Sequence, residues 1–477
     1  MQAILAKSAG LMLATRLIVN ALGIISSLIL IRILSPDDFG IAAIAMSLYS
    51  LVKLFGDFGL NTALIQKNKL ERSDYDTGFT LNFIFALIAS TVFIIIAIPA
   101  THFFEEPRLE RVLYFVALLF LVTGLKNIKV VDFQIEMNFH LELKLQVLPK
   151  ILSFFITLGL AFLLNNYWAL ILGSLFISLI TVIQSYVMLP YKPSFSLLNA
   201  RKMFNFSKWL MINNVFFYLN NKSIDLIVGK FISTSAAGLY SISKEMATLP
   251  ASEVAAPINK ATYPAYAKAK QNPAELRQLF YQSTSMITII ALPASLGLFS
   301  TAEFFVPTIL GEQWLEAIPL VKLLSLFAFV SSISSNNNYV FLALGKSKLV
   351  ALISLLRISS FFAILFGFGF LRTVEGPALA LLITSCLNLV ICYVWLKREI
   401  ALSIRQTVIA NVRAITSTFL MFLIVELAST YMSVNLLSFI SLVFLGLLVY
   451  VTLIVFLWAL SGQPESIEKI IIEKIRK

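Results

Sequence analysis

The sequence predicts an all-α polytopic membrane protein with about fourteen transmembrane helices, built as two pseudo-symmetric six-helix lobes plus two C-terminal helices. Three observations carry this prediction. Of 477 residues, 59% are hydrophobic and only 13% are charged, against about 25% charged in an ordinary soluble domain. At about 20 apolar residues per bilayer-spanning helix, that hydrophobic content supplies roughly fourteen spans. A short turn sequence near residue 35 also returns 198 residues later. Gly and Pro, at 19 and 15, are scarce for a loop-rich or β-rich chain. The composition excludes a secreted, disordered, fibrous or simple cytosolic protein.

The apolar runs fall at about 9–34, 38–62, 77–100, 109–130, 147–165, 167–190, 207–231, 235–260, 281–303, 317–345, 349–371, 375–397, 407–430 and 434–460. The first follows Met1–Lys7, is much longer than a signal-peptide core and has no small-residue cleavage site behind it, so it is expected to remain as a helix. The second opens at Asp37-Asp38, acids suited to a helix N-terminus. The third to sixth are separated by short polar connections. The eighth carries Pro250 and Pro257, expected where a helix bends around a cavity. After the last run, Ile467, Ile470, Ile471 and Ile475 recur at helical spacing between charges, as in a short helix lying on the inner leaflet. The expected organisation is a lobe over 1–190, a cytoplasmic crossover over 191–206, a second lobe over 207–397, two added helices over 398–460 and an amphipathic tail over 461–477.

Charge orients these spans. With the first residue inside, 26 of the 37 Lys and Arg fall on the cytoplasmic side. Arg32, Arg108, Arg111, Lys230 and Arg372 fall opposite, and Arg16, Lys53, Lys222, Lys244, Lys322 and Arg357 lie inside helices. That bias predicts both termini in the cytoplasm of a multi-pass inner-membrane protein. It accounts for most of the net charge of +12 with no appeal to nucleic acid. Cys386 and Cys392 make no disulfide framework or metal motif, and His102 and His140 are far apart in sequence. No connection is long enough to hold a catalytic domain, and nothing resembles a phosphate-binding loop for ATP.

The repeated turn pairs Ile33–Ile41 with Phe231–Leu239. Ser35 matches Ser233, Gly40 matches Gly238 and Arg32 matches Lys230. Six helices lie between the two copies, so both fall on one side of the membrane. This predicts parallel halves related by an axis along the membrane normal.

Ionisable groups inside a membrane helix are costly and normally face a cavity or a partner. Arg16, Asn20, Gly23 and Ser27 share one face of the first helix. Ser50, Lys53, Asp57 and Asn61 share a face of the second. Asn214, Asn221 and Asp225, with Lys222 beside them, mark the seventh. Ser241, Glu245, Thr248, Ser252 and Asn259, with Lys244 beside them, mark the eighth. Arg357 lies well inside the eleventh. Two readings stand for the Asn and Ser positions, interhelical glue and cavity lining. The Lys53–Asp57 and Lys222–Asp225 spacings suit structural ion pairs as well as site residues. The expected substrate-binding set for phosphate and sugar is Arg16, Asn20, Lys53, Asn214, Asn221, Lys222, Lys244 and Arg357. The expected ion-coupling acids are Asp57, Asp225 and Glu245, for a sodium ion or a proton. No metal site, cofactor or catalytic residue is expected.

Four further motifs extend the picture. They are Arg32–Gly40 in full, Asp57-Phe58-Gly59-Leu60 with Ile65-Gln66, Tyr263-Pro264-Ala265-Tyr266-Ala267, and Gly311-Glu312-Gln313-Trp314 leading to Ile318-Pro319. In this order, over roughly the first 340 residues, the chain resembles the Wzx-type oligosaccharide flippases. These belong to the multidrug/oligosaccharidyl-lipid/polysaccharide exporter superfamily, and the resemblance is to the colanic acid exporter branch. It implies two six-helix lobes in a V shape plus two helices. It also implies export of an undecaprenyl-pyrophosphate-linked oligosaccharide for O-antigen or exopolysaccharide synthesis, through a cation-lined cavity and on an ion gradient. The expected partners are that lipid-linked oligosaccharide, membrane lipid, a polysaccharide polymerase and a chain-length regulator, with no nucleic acid. The motifs sit at helix ends and turns, so they transfer the fold and no binding residue. The alternative is multidrug efflux within the same superfamily, against which a net positive cavity argues. An enzyme is not expected.

Overall fold

A computed structural model describes residues 2–54, 64, 70–136, 138–201, 218–219 and 222–462, except the side chains of 2–14, 16, 17 and 139. Among the described residues there is no β-strand, and the longer helices follow the apolar runs one for one. They are α1 (Gln2–Ile33), α2 (Pro36–Leu54), α3 (Arg72–Phe104), α4 (Arg108–Gly124), α5 (Phe139–Leu164), α6 (Trp168–Met188), α7 (Ser223–Phe231) and α8 (Thr234–Lys268). There follow α9 (Pro273–Phe305), α10 (Ile318–Ala343), α11 (Ser347–Gly367), α12 (Gly376–Ile400), α13 (Ile404–Ser429) and α14 (Leu436–Leu460). Nine helices among the described residues are long and apolar enough to cross a membrane, or ten if the bent pair after Arg108 counts as one span. The tail after Gly462, and its expected amphipathic helix, lie outside the described residues.

The chain divides into two compact units, Met1–Gly238 and Leu239–Lys477. In the first, α3 packs on α4, α5 on α6 and α1 on α5, while α2 lies against both α4 and α7. The connection after α6 is strapped to the first turns of α3. Tyr191 and Ser194 donate hydroxyl hydrogens to the buried Asp76 at 2.5 and 2.6 Å, and Asn199 donates to Asp74 at 2.8 Å. In the second unit, α9 packs on α10, α13 and α14, and α12 lies against α10 and α11. Its interior holds a polar network. The Tyr266 hydroxyl touches Ser283 and donates to Asn336 at 3.0 Å, and Asn336 donates to Ser283 and Thr284 at 3.1 and 3.0 Å. Asn259 donates to Ser335 at 2.7 Å. These are interhelical contacts of the glue kind. Lys322 pairs with Glu303 at 2.7 Å, and Trp314 of the Gly311–Trp314 motif is fully buried.

The repeated turn reappears as geometry inside the first unit. Ser35 caps α2. Its hydroxyl accepts from the Asp38 N–H at 3.2 Å, while its own N–H and O–H donate to the Asp38 carboxylate at 3.0 and 2.6 Å. This reciprocal box satisfies N–H groups the helix itself cannot. Ser233, the repeat partner, caps α8 by accepting from the Ala236 N–H at 3.0 Å. The two helix starts then press together through their matched glycines. A Cβ on Gly40 would lie 1.9 Å from the Thr234 carbonyl oxygen, and one on Gly238 would lie 1.8 Å from the Pro36 carbonyl oxygen. Pro36 and Thr234 are themselves one repeat apart. The contact is self-reciprocal, as a two-fold axis between matched segments requires.

An ionic cluster closes the same end of this unit. Arg108 reaches Asp37 at 2.7 Å and Glu106 at 2.6 Å, and Lys230 reaches Glu105 at 2.9 Å. Hydrogen bonds from Arg108 hold the Glu106 carboxyl below the ordinary glutamate value of 4.5, and Lys230 does the same for Glu105. A carboxyl lowered in the folded state stabilises above its unfolded value, and that contribution is lost as pH falls through the folded value. The melting temperature of the purified protein is therefore expected to drop as pH is taken below 4.5. Glu106→Gln should flatten that acid limb, and an identical limb in the variant would contradict the pairing.

Candidate functional site

Within the first unit, α2, α3, α4 and α6 enclose a cavity of about 360 Å³. Two lysines reach it, Lys53 from α2 and Lys126 from the connection after α4. No carboxylate is among the described residues that line it. Two ammonium groups converging on one space repel each other, and an anion placed between them would relieve that repulsion.

Each lysine is held by its local structure. Lys53 stands one helical turn after Tyr49, and its Nζ lies 5.8 Å from the centre of the Tyr49 ring. Tyr49 leans on Phe120 of α4, ring centres 4.4 Å apart, and Phe120 in turn meets Phe93 at 5.3 Å. Lys126 is placed by a break. α4 stops at Gly124, where a Cβ would come 2.2 Å from the Ala86 Cβ of α3. The chain then turns by 66° into the short segment Ile128–Ile135. Asn127, fully buried, bolts this turn to the end of α6. Its Nδ2 donates to the carbonyls of Ser185 and Leu189 at 3.1 and 2.7 Å, and its Oδ1 accepts from the Lys129 N–H at 2.9 Å. With every polar atom of Asn127 engaged, the residue before it has little freedom to move away.

The rest of the wall is mixed. Thr123, Ser178 and Thr181 spend their hydroxyl hydrogens on carbonyls of their own helices, at 2.9, 3.0 and 2.7 Å. What remains for the cavity is oxygen lone pairs, acceptors suited to hydroxyl groups of a ligand. Asn82 adds a half-buried carboxamide, and Tyr49, Phe85 and Phe120 add ring faces.

A second cavity of about 380 Å³ adjoins the first, sharing Lys126, Ile177 and Thr181 with it. Glu142, Gln146 and Lys150 line it from one face of α5, and Gln134 from the segment before. Glu142 Oε1 accepts from Gln134 at 2.9 Å and Gln146 at 3.3 Å. Glu142 Oε2 is buried and without a hydrogen-bond partner.

The residues expected from sequence fall in several places. Lys53 lies in the first cavity. Asp225 is buried in the first turn of α7 and accepts from Ser47 of α2 at 3.2 Å, while Lys222 is exposed just ahead of that helix. Asn20 is half-buried on α1. The Arg16 side chain and all of Asp57, Asn214 and Asn221 lie outside the described residues. Lys244, Glu245 and Arg357 belong to the second unit. There Lys244 Nζ lies 5.8 Å from the Tyr240 ring centre, Glu245 is exposed, and Arg357 is half-buried. The sequence reasoning missed Lys126, Asn82, Thr123, Ser178, Thr181 and Glu142. In the sequence Lys126 counts among the cytoplasmic charges, because a lysine near the end of an apolar run is ordinary there. The Gly124 and Asn127 pair is the signal that could have singled it out.

Comparison with known proteins adds four findings. A family model described as "Polysaccharide biosynthesis protein" matches residues 29–319. The lipopolysaccharide biosynthesis protein WzxC of Escherichia coli K12 is 24% identical over 403 residues, 82% of this chain and 81% of that protein. A membrane protein of the cps region of Klebsiella pneumoniae is 25% identical over 389 residues, 80% of each chain. Among solved structures, the lipid II flippase MurJ in its inward closed conformation superposes with a TM-score of 0.76. It is 14% identical, and the match covers 94% of this chain and 98% of that one.

Proposed function

Since the chain belongs to the polysaccharide biosynthesis protein family, we propose that it carries an undecaprenyl-pyrophosphate-linked oligosaccharide from the cytoplasmic to the periplasmic leaflet of the inner membrane. It does so by ion-coupled alternating access, with both termini in the cytoplasm, and supplies surface polysaccharide synthesis. The observation that carries the reading is the cavity with Lys53 and Lys126 and no described carboxylate. Lysine ammonium groups suit a phosphate as point charges. Ring faces and oxygen acceptors beside them suit a sugar ring. A volume of about 360 Å³ holds a diphosphate and a first sugar, not a whole repeat unit. The names of WzxC and of the succinoglycan transport protein ExoT of Rhizobium meliloti support a polysaccharide cargo. The family and its structural neighbours are transporters rather than catalysts. Efflux of cationic drugs fits less well, because two lysines would repel the cargo.

Ion coupling on this reading is assigned to acids that face the transport route, with Asp57, Asp225 and Glu245 as the sequence candidates and a sodium ion or proton as the driver. A polymerase and a chain-length regulator would receive the cargo. The test is a mass-spectrometric profile of long-chain polyprenyl diphosphates in cells with and without the protein. Deletion is expected to build up one sugar-bearing polyprenyl diphosphate, cleared on re-expression. An unchanged lipid profile in cells lacking any second exporter would contradict the reading.

A further inference from the structure

We infer that a groove between α2, α3 and α7 of the first unit seats one phospholipid whose headgroup carries both a phosphate and a free ammonium, as in phosphatidylethanolamine, with Lys230 on the phosphate and Glu105 on the ammonium. This goes beyond the cargo reading and does not depend on it. The groove has a volume of about 390 Å³. Leu48 of α2, Pro99 and Phe103 of α3, and Ile227 and Phe231 of α7 line it, and Lys230 is the only charged residue among the described residues that do. Every lining residue belongs to the first unit. Beside the groove, α3 presents Ile95 and Ile98 outward. In a membrane protein such an apolar surface meets acyl chains, which are as apolar as the side chains themselves. A recess in it is a seat for one of those chains.

One end of the groove has the chemistry of a membrane–water boundary. Phe103 and Phe231 are both exposed there. Lys230 Nζ lies 5.2 Å from the centre of the Phe103 ring and 2.9 Å from Glu105 Oε1. Exposed rings and a lysine whose stem runs along apolar surface mark the headgroup depth. An ammonium carries three donor hydrogens. Glu105 takes one, so Lys230 can still donate to a phosphate oxygen at the mouth of the groove.

Glu105 is placed against two local rules. It ends α3 in the left-handed conformation, at φ 56° and ψ 33°, a position that favours glycine or asparagine. Its negative charge also stands at a helix C-terminus, the end that favours cations. A surface pair with one lysine offsets little of this. The Glu105 side chain is 81% exposed, and no donor but Lys230 reaches its carboxylate among the described residues. A carboxylate with an open oxygen beside a lysine is the complement of a zwitterion. With phosphate on Lys230 and ammonium on Glu105, the four charges alternate in sign. A choline headgroup has no N–H to donate to Glu105, and a glycerol headgroup has no cation, so neither matches the pair.

The experiment takes the full chain, stripped of lipid in detergent, and titrates it with phospholipids of identical oleoyl chains and ethanolamine, choline or glycerol headgroups. Native mass spectrometry counts the lipids retained. One ethanolamine lipid is expected to bind about tenfold more tightly than either of the others, the factor that one charge-assisted hydrogen bond makes. Glu105→Gln should bring the ethanolamine lipid down to the choline level. Ile227→Trp, which fills the groove and touches neither charge, should also remove the tightly held lipid. Equal retention of the three lipids by the wild type, or tighter retention of the glycerol lipid, would overturn the site without recourse to any variant. An ethanolamine preference that survives both substitutions would place the lipid elsewhere and overturn it as well.

Discussion

Lys126→Glu is expected to abolish export while leaving the protein folded in the membrane. An ammonium and a phosphate about 4 Å apart near a protein surface attract by about 4 kcal/mol, and reversing the charge turns that attraction into repulsion. Each 1.4 kcal/mol is about tenfold in affinity, so cargo binding should weaken by at least about a hundredfold. Lys53→Glu should behave alike, because both lysines line one cavity. Neutral Lys→Gln variants should fall between, by about tenfold. The readout is build-up of the sugar-bearing polyprenyl diphosphate in cells carrying each variant, at matched protein levels in the membrane. Neither lysine is in an ion pair among the described residues, so reversal breaks no fold contact of that kind. Normal export by both reversed variants would remove this cavity from the mechanism.

The second large effect concerns the fold. Gly40→Ala and Gly238→Ala each place a methyl against backbone rather than a movable side chain, at 1.9 Å and 1.8 Å from carbonyl oxygens. A real Cβ does not tolerate such a contact, so the starts of α2 and α8 must part. Overpacking in a tight core costs about 1–3 kcal/mol, and a rigid backbone neighbour puts the cost at the upper end or beyond. Each single variant should lower the melting temperature in detergent by several degrees. Because both act on one contact, the double variant should cost clearly less than the sum of the singles. Two singles as stable as the wild type, or strictly additive losses, would contradict a shared glycine contact at the repeat.

Much of this fold is visible in the sequence for simple physical reasons. A membrane helix must satisfy its own backbone, so apolar runs of sufficient length become helices with few alternatives. The Ser35-Pro36-Asp37-Asp38 and Ser233-Thr234 starts are legible because capping chemistry is local. The matching offset at Gly40 and Gly238 pointed to a repeat, and the glycines turn out to touch. The site was less legible. Lys53 was found because a cation in mid-helix is conspicuous. Lys126 was not, because it lies at a helix end, where lysine is ordinary. Its role depends on the turn at Gly124 and on Asn127 clamping that turn to α6, a contact across 58 residues. Glu142 was missed for a similar reason. Periodicity gives its helix face, but not that Lys126 stands across from it in a shared wall. Asn259 donates to Ser335, an interhelical contact of the kind that was one of the two readings open for the Asn and Ser stripe positions.

The most direct test of the central claim is translocation by the purified chain in proteoliposomes. Fluorescent polyprenyl-diphosphate sugar is placed in one leaflet, and its arrival in the other is followed by quenching. The wild type is expected to move the lipid well above the rate in protein-free vesicles, and the Lys53→Glu, Lys126→Glu double variant to match those vesicles. A wild type no faster than protein-free vesicles, under an imposed proton or sodium gradient of either direction, would contradict the account.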